Sequence, residues 1–148
     1  MKSSGRVRVA LIGCGRIARV HRSYLEKIAD AELVGVFDVD QGSRESFVAG
    51  STLPAFASLA ELIESARPDV AHVLTPPTTH AAVAKQLLAA GVNALVEKPL
   101  AMSAAEADEV VAAARQAGAW VSVDHNRFFD PVVQRAAAAV ESGRLGDV

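Results

Sequence analysis

The sequence predicts a doubly wound α/β fold, in which helices cover both faces of one parallel sheet in three layers. Short β-type apolar runs and longer helical patterns alternate along the chain, which is typical of parallel strands joined by right-handed crossovers. The run Val70–Leu74 is almost continuously apolar, as expected of a strand buried on both faces. We see no internal repeat, low-complexity segment or linker, so the elements belong to one sheet.

A glycine-containing turn follows the first predicted strand. The stretch Val9–Arg19 reads VALIGCGRIAR, and Gly13, Gly15 and Ala18 occupy the positions of the pattern G-x-G-x-x-G/A. In that pattern the first glycine permits a tight strand-to-helix turn, and the second lets a pyrophosphate approach the backbone. The third small residue allows the helix to pack closely on the strand. The helix then directs unpaired N–H groups and its positive dipole end towards the phosphates.

An acidic residue at the end of the second predicted strand strengthens this interpretation. Asp38 closes the run that begins at Glu32 and lies 25 residues after Gly13. That distance is near the offset expected of a carboxylate that binds ribose hydroxyls. The spacing therefore favours a dinucleotide site. The alternative is an ordinary strand–helix–strand turn with a surface aspartate.

Composition limits the class of protein. The chain has 148 residues, of which 51% are hydrophobic, which suits one compact domain with a sizeable core. The net charge of −2 gives no reason to expect a nucleic acid or an anionic membrane as partner. The single cysteine excludes an internal disulfide and a thiolate metal cluster, and we expect no metal site. No apolar run reaches the ~18 residues that span a bilayer, and no signal peptide is evident, so we expect a cytoplasmic protein.

Capping signals, prolines and glycines place the remaining elements. Ser58 and Ser103 each precede a glutamate by three residues, which is the capping-box pattern at a helix start. Gly91 and Gly118 are expected to end helices, and Pro131 suits the first turn of the last helix. The expected strands are 6–12, 32–38, 54–57, 70–74, 93–96 and 120–123, and the expected helices are 16–29, 41–49, 58–66, 81–90, 103–118 and 132–142.

Polar residues gather where the predicted strands end. The carboxyl ends of parallel strands lie on one edge of the sheet, and ligands bind there at the point where the strand order reverses. One long groove could therefore use all of these residues. Beyond the glycine turn, the residues expected at this edge are Asp38, Thr75 to Pro77, Glu97 to Pro99 and Asp124 to Arg127.

Five motifs, GCGRIA, VFD, TPPTTH, EKP and NRFFDP, resemble in order and spacing the amino-terminal half of the glucose-fructose oxidoreductase / inositol dehydrogenase / MocA family. The resemblance covers essentially the whole chain, and EKP after the fifth strand is its most specific part. It implies a Rossmann domain that binds NAD(P) in an oxidoreductase acting on a sugar, cyclitol or related polyol. Family members continue into a second α/β domain, which supplies the acid/base residue, most substrate contacts and the oligomer interface.

The resemblance also implies a role for each motif. Lys98 would be the catalytic lysine, whose ammonium stabilises negative charge that develops on the reacting oxygen. The implied cofactor residues are Gly13, Gly15, Arg16 and Ile17 at the pyrophosphate, Asp38 at the adenosine ribose, Thr75, Pro76, Pro77 and His80 along the cleft wall, Glu97 and Lys98 beside the nicotinamide, and Asn126 on the substrate side.

Several of these residues have a simpler alternative. Lys98 could be a solvated surface lysine, and Glu97 could simply pair with it. His80 could cap the helix that follows. His72 lies within a strand and is expected to be a neutral core histidine.

Three residues near the edge have structural expectations. Cys14 is expected to matter through its backbone more than its thiol. Asp124 and Arg127 could form a structural ion pair. His125 could face the cleft, but we assign it no proton transfer.

Asp38 also favours NAD over NADP, because a carboxylate there accepts a hydrogen bond from a 2′-hydroxyl and repels a 2′-phosphate. Arg44 lies close enough in sequence to weaken this preference.

The chain ends where family members continue, so we expect the second domain to be absent from it. We expect a disordered lead-in at 1–5, the cofactor domain at 6–130, and the last helix and the start of the connection at 131–148. The chain is then the cofactor-binding half of an oxidoreductase, and a homo-oligomer in its full-length form. The alternatives are a non-catalytic dinucleotide-binding sensor or scaffold and, less favoured by the Asp38 offset, a flavodoxin-like binding domain. An apolar patch around Phe128, Phe129, Val132 and Val133 should be exposed and should promote self-association.

Overall fold

The computed structural model describes residues 5–146 and contains one parallel six-stranded sheet in the order β3-β2-β1-β4-β5-β6. The predicted doubly wound α/β fold is therefore confirmed. Most of the expected lead-in, residues 1–4, lies outside the described part, as do residues 147 and 148. The strands are β1 (Val7–Ile12), β2 (Ala31–Phe37), β3 (Ala55–Phe56), β4 (Val70–Val73), β5 (Asn93–Glu97) and β6 (Val121–Asp124). The helices are α1 (Arg16–Leu25), α2 (Gln41–Val48), α3 (Leu59–Ala66), α4 (His80–Ala89), α5 (Ala104–Ala117) and α6 (Pro131–Glu141).

The strand order reverses between β1 and β4. The chain runs outward from β1 through β2 to β3 and then returns to place β4 on the other side of β1. At the carboxyl ends, the Gly13 N–H donates to the Phe37 carbonyl and the Leu74 N–H donates to the Ile12 carbonyl, both at 2.7 Å. The turn after β1 is thereby held between its two neighbours, at the place where doubly wound sheets bind ligands.

Side chains of the sheet alternate between two apolar layers. Ala10 and Ile12 belong to the layer that contains α3, α4 and α5, whereas Val9 and Leu11 belong to the layer that contains α1 and α2. This alternation follows from the period of two along a strand. Burial on both faces explains why β1 and β4 are nearly continuous apolar runs.

Both capping boxes form. The hydroxyl oxygens of Ser58 and Ser103 accept from the N–H of Glu61 and Glu106, at 3.1 and 3.2 Å. Each glutamate carboxylate accepts in turn from the N–H of the residue before its serine. These contacts start α3 and α5 where the sequence predicts.

The first helix is shorter than expected. α1 ends at Leu25 rather than near Ala29, because Lys27 and Ile28 donate to carbonyls only three residues earlier. This tighter turn brings the chain back into β2, and the Ala31 N–H donates to the Ile28 carbonyl at 3.1 Å.

The last helix packs on little of the described chain. None of the residues of α6 is buried, and its main contact is the short 3-10 turn Asn126–Phe129. Phe128, Phe129 and Val132 are 69%, 80% and 62% exposed. The expected exposed apolar patch is confirmed, while its effect on self-association stays a prediction. Within residues 5–146, no helix has the length and apolar character to cross a membrane.

Candidate functional site

The two glycines of the first turn lie in different surroundings. Gly13 has a φ of +101°, and a Cβ there would lie 2.8 Å from the carbonyl carbon and oxygen of Leu74. Only glycine fits this position, because the backbone of the β4 end approaches it directly. A Cβ on Gly15 would meet no described atom within 4 Å. The open space beside Gly15 leaves room for a ligand at the start of α1.

The start of α1 is accessible. Gly15 is its N-cap residue, so among the described residues no side chain caps its first N–H groups. Arg16 is exposed in the first turn, and Ala18 is fully buried against the sheet. Uncapped N–H groups and the positive end of a helix dipole form an anion site.

Asp38 braces the glycine turn. Its Oδ2 accepts from the backbone N–H of Cys14 at 2.7 Å, and its Oδ1 accepts from the N–H of Asp40 at 3.0 Å. The Arg44 guanidinium donates to the Asp38 carbonyl at 2.6 Å. Each carboxylate oxygen can accept more than one hydrogen bond, so Asp38 can still accept from hydroxyl groups. Sequence reasoning missed the bracing role, because spacing carries no information about which N–H the carboxylate meets.

Cys14 is buried, and its thiol is in an unreactive environment. Burial and, second, the nearby Asp38 raise the pKa of the thiol to about 11. Its contact in the site is the backbone N–H that donates to Asp38. The expectation that Cys14 acts through its backbone is confirmed.

Two clefts lie along the carboxyl edge of the sheet. The first has a volume of about 550 Å³ and the second about 540 Å³. They share Ile17, Leu74 and Thr75 and so form one groove across the switch point. The sequence-predicted site residues that line the first cleft are Gly13, Gly15, Arg16, Ile17, Asp38, Thr75 and Pro76. Those that line the second are Ile17, Thr75, Pro77, His80, Glu97, Lys98 and Asn126. Every predicted site residue therefore borders the groove.

His80 connects two loops of the second cleft. Its ring is 1% exposed, and Nδ1 and Nε2 each lie 2.7 Å from a carbonyl oxygen, of Pro99 and Thr75 respectively. The alternative that His80 caps α4 is wrong, because its ring contacts these carbonyls instead of the helix N–H groups. The imidazole holds the loop after β4 against the loop that carries Lys98.

Lys98 is exposed at the second cleft. The Glu97 carboxylate accepts from the backbone N–H of Lys98 at 2.9 Å. Among the described residues, no ion pair involves the Lys98 ammonium, so the alternative that Glu97 simply pairs with it is wrong. The backbone contact occupies a Glu97 oxygen and leaves the ammonium available to a ligand.

The expected ion pair between Asp124 and Arg127 is also wrong. Asp124 Oδ2 lies 3.3 Å from His21 Nε2, while Arg127 Nη1 lies 3.7 Å from Asp130 Oδ2. Arg127 lies in the 3-10 turn after β6 and its side chain is 87% exposed, whereas Asp124 ends the strand and contacts His21 of α1. His125 is exposed.

His72 is a neutral histidine, as the sequence predicts. Burial, and second the neighbouring His21, lower its pKa to about 4. Its Nδ1 lies 3.0 Å from Nδ1 of His21. Sequence reasoning missed His21 as the partner of both His72 and Asp124, although His72, Glu97 and Asp124 share one side of the strand alternation.

A parallel sheet in this order, with a glycine turn and a carboxylate at its switch point, defines a Rossmann-type dinucleotide-binding domain. The family described as "Oxidoreductase family, NAD-binding Rossmann fold" (GFO_IDH_MocA) matches residues 7–125. The chain belongs to this family, which confirms the resemblance seen in its motifs.

The relatives include dehydrogenases named for a cyclitol and for a sugar phosphate. The chain is 31% identical over 96% of its length to inositol 2-dehydrogenase of Rhizobium meliloti, and 32% identical over 95% to glucose-6-phosphate 3-dehydrogenase of Bacillus subtilis. It spans 43% and 40% of those proteins, so about two fifths of their length.

Solved structures similar to this chain include complexes with NADH and NAD. The WlbA dehydrogenase of Chromobacterium violaceum, in complex with NADH and UDP-GlcNAcA, is 30% identical with a TM-score of 0.91. That match covers 98% of this chain and 42% of the other. GenD2 from gentamicin A biosynthesis, in complex with NAD, is 28% identical with a TM-score of 0.87 over 97% of this chain and 41% of the other.

Proposed function

We propose that this chain is the NAD-binding part of an oxidoreductase that transfers hydride between nicotinamide and a sugar, cyclitol or related polyol. One observation carries the proposal: the glycine turn with Asp38 and the loop with Lys98 border opposite ends of one groove. A dinucleotide carries an adenosine at one end and a nicotinamide at the other, so it would use both ends of this groove. The dehydrogenase relatives and the NAD complexes among similar structures support this reading.

Asp38 and Lys98 lie at the two ends of the groove that would hold the cofactor. The Asp38 carboxylate would accept from the adenosine ribose hydroxyls, and Gly15 with the first turn of α1 would hold the pyrophosphate. Glu97 and Lys98 would border the nicotinamide. NAD would supply or accept the hydride, while this chain orients it.

NAD is preferred over NADP. A 2′-phosphate would meet the negative charge of Asp38. Arg44 offers little compensation, because its guanidinium donates to the carbonyls of Asp38 and Val39 at 2.6 and 3.3 Å.

Lys98 is the catalytic residue that this chain supplies. Its ammonium donates a hydrogen bond to the reacting oxygen of the substrate and stabilises negative charge that develops there. Asn126 borders the same cleft and contacts the substrate. The remaining substrate contacts and the acid/base residue come from a second domain. In this division, residues 6–130 form the cofactor domain, and residues 131–148 form the last helix and the start of the connection to the second domain.

The proposal also covers the location, the oligomeric state and the partners of the protein. We infer a cytoplasmic homo-oligomer that binds neither nucleic acid nor membrane. The net charge of −2 gives no reason to expect those two partners, and the single cysteine suits a reducing compartment.

The test compares Lys98→Ala with Lys85→Ala in the whole protein. Lys85 pairs with Glu109 on the surface and is a matched control. We expect Lys98→Ala to lower kcat by about 100-fold or more, as for loss of a charge-stabilising donor, with the Kd for NAD within twofold of the parent. The assay follows NADH formation with myo-inositol, glucose 6-phosphate and UDP-N-acetylglucosamine.

Two results would contradict the proposal. Lys98→Ala with activity equal to Lys85→Ala would remove the catalytic role. Tight NAD binding by the whole protein, with no NADH formed from any of the three substrates, would favour the sensor or scaffold instead.

A further inference from the structure

Four titratable side chains meet below the second cleft, on the face of the sheet that α1 covers. His72 of β4, Glu97 of β5 and Asp124 of β6 are brought to that face by the strand register, which pairs Glu97 with Asp124. His21 of α1 reaches both His72 and Asp124. Four different elements therefore converge on one point.

The distances suit a metal ion. One potential ligand atom from each of His21, Glu97 and Asp124 lies within 4.8 Å of the other two. His21 Nε2 and Asp124 Oδ2 are 3.3 Å apart. Ligands held at ~2.1 Å from a tetrahedral zinc ion are about 3.4 Å from each other, so this pair is already spaced correctly. The Glu97 carboxylate lies within 4.8 Å of both, near enough to complete a set of three ligands.

Two carboxylates lie close together at this point. Among residues 5–146, Asp124 pairs with His21, and no ion pair involves Glu97. The side chains of His21 and Asp124 are 11% and 19% exposed, so water screens them weakly. A divalent cation bound between the carboxylates removes their repulsion.

His72 completes the surroundings of a metal site. A histidine that binds metal through Nε2 carries its proton on Nδ1, and that N–H is usually donated to a neighbouring acceptor. Nδ1 of His72 lies 3.0 Å from Nδ1 of His21 and can accept a hydrogen bond from that N–H. Glu97 is oriented as well, because its carboxylate accepts from the Lys98 N–H.

We propose that His21, Glu97 and Asp124 bind one divalent transition-metal ion, with His72 as the residue that orients His21. One imidazole and two carboxylates are a mixed nitrogen and oxygen set, which suits zinc or manganese better than magnesium or calcium. Zinc is the better match to the spacing. The ion ties α1 to the ends of β5 and β6, beside the loop that carries Lys98. The site shares Glu97 with the cleft that the proposed function assigns to the nicotinamide, but zinc content is measured without any assay of that function.

The test measures zinc directly on the full chain. Protein stripped with EDTA is dialysed against a slight excess of ZnCl₂, and bound zinc is counted by atomic emission. We expect one zinc per chain, a rise in Tm, and at least tenfold weaker binding in His21→Gln and Asp124→Asn. His125→Gln changes the exposed neighbour of Asp124 and should bind zinc like the parent.

A further variant tests the proposal without removing any of the three ligands. His72→Gln leaves all three ligands in place and should weaken zinc binding by about tenfold, since loss of an orienting partner typically costs that much. Circular dichroism checks that each variant is folded. Less than 0.1 zinc per chain in the folded parent, or equal zinc in the parent and in folded His21→Gln, would overturn the proposal.

Discussion

Gly13 and Gly15 meet different constraints although they belong to one turn. The backbone of Leu74 excludes a side chain at Gly13, whereas the space beside Gly15 contains no described atom within 4 Å. Packing of the protein therefore requires glycine at position 13, whereas packing sets no such requirement at position 15. The proposed function assigns Gly15 to ligand binding instead.

Alanine substitution tests this separation. Gly13→Ala should lower the free energy of unfolding by about 2 kcal/mol or more, because it adds strain at positive φ and a clash with backbone. Gly15→Ala should change that free energy by less than about 0.5 kcal/mol, since its φ of −74° suits alanine. Urea unfolding measures both. Equal destabilisation by the two variants would contradict the assignment.

His72 makes stability depend on pH. Its pKa is about 4 in the folded protein, against an ordinary value of 6.5. Above pH 6.5 the histidine is neutral in both states, and its full contribution to stability is present. Between pH 6.5 and 4 the unfolded chain binds a proton that the folded chain does not, so stability falls as the pH is lowered.

Urea unfolding at pH 7.5 and 5.0, in buffer with EDTA, measures this contribution. We expect a loss of about 2 kcal/mol in the parent from His72, since each pH unit below 6.5 costs about 1.4 kcal/mol. His72→Gln should show a correspondingly smaller loss, while the exposed-site variant His125→Gln should behave like the parent. An equal pH dependence in His72→Gln and the parent would refute the role of His72.

At the scale of elements, α6 differs from the five helices before it. Those helices each bury residues against the sheet, whereas α6 buries none and exposes Val132 next to Phe128 and Phe129. A helix that exposes an apolar surface and has no contact with the core is expected to bind another apolar surface. At high protein concentration, a second copy of the chain can supply that apolar surface.

Sedimentation velocity over a range of concentrations tests this expectation. The chain should associate as its concentration rises, and the double substitution Phe128→Ser, Phe129→Ser should shift it towards monomer. Tyr24→Ser removes another exposed aromatic residue, which lies on α1 away from the patch, and should have no such effect. A sedimentation coefficient of the parent that is independent of concentration would show that the patch does not drive association.

At the scale of the whole molecule, the sequence predicts the fold and the edge at which the site lies. Strand alternation and the glycine turn suffice, because period and backbone conformation are local properties. The groove follows, since parallel strands place their carboxyl ends together. Thus the spacing of Asp38 and the loops with Thr75 and Lys98 point to one edge before any coordinates are known.

Contacts between distant elements could not be predicted in the same way. The partner of Asp124 depends on how α1 crosses the sheet. Reasoning from the sequence favours Arg127 as the partner, because Arg127 is only three residues away along the chain. The bridge from His80 to the Pro99 carbonyl and the bracing of Cys14 by Asp38 also join segments far apart in the chain. Strand alternation does place Glu97 and Asp124 on one face, but it does not identify His21.

The central claim is that Asp38 and the glycine turn bind the adenosine end of NAD. Calorimetric titration of the full chain with NAD and NADP, repeated on Asp38→Ala, tests it most directly, with circular dichroism to verify folding. We predict that NAD binds more tightly than NADP, and that folded Asp38→Ala binds NAD more weakly and loses the discrimination. Failure of the parent to bind either nucleotide at millimolar concentration, or unchanged NAD affinity in folded Asp38→Ala, would contradict the account.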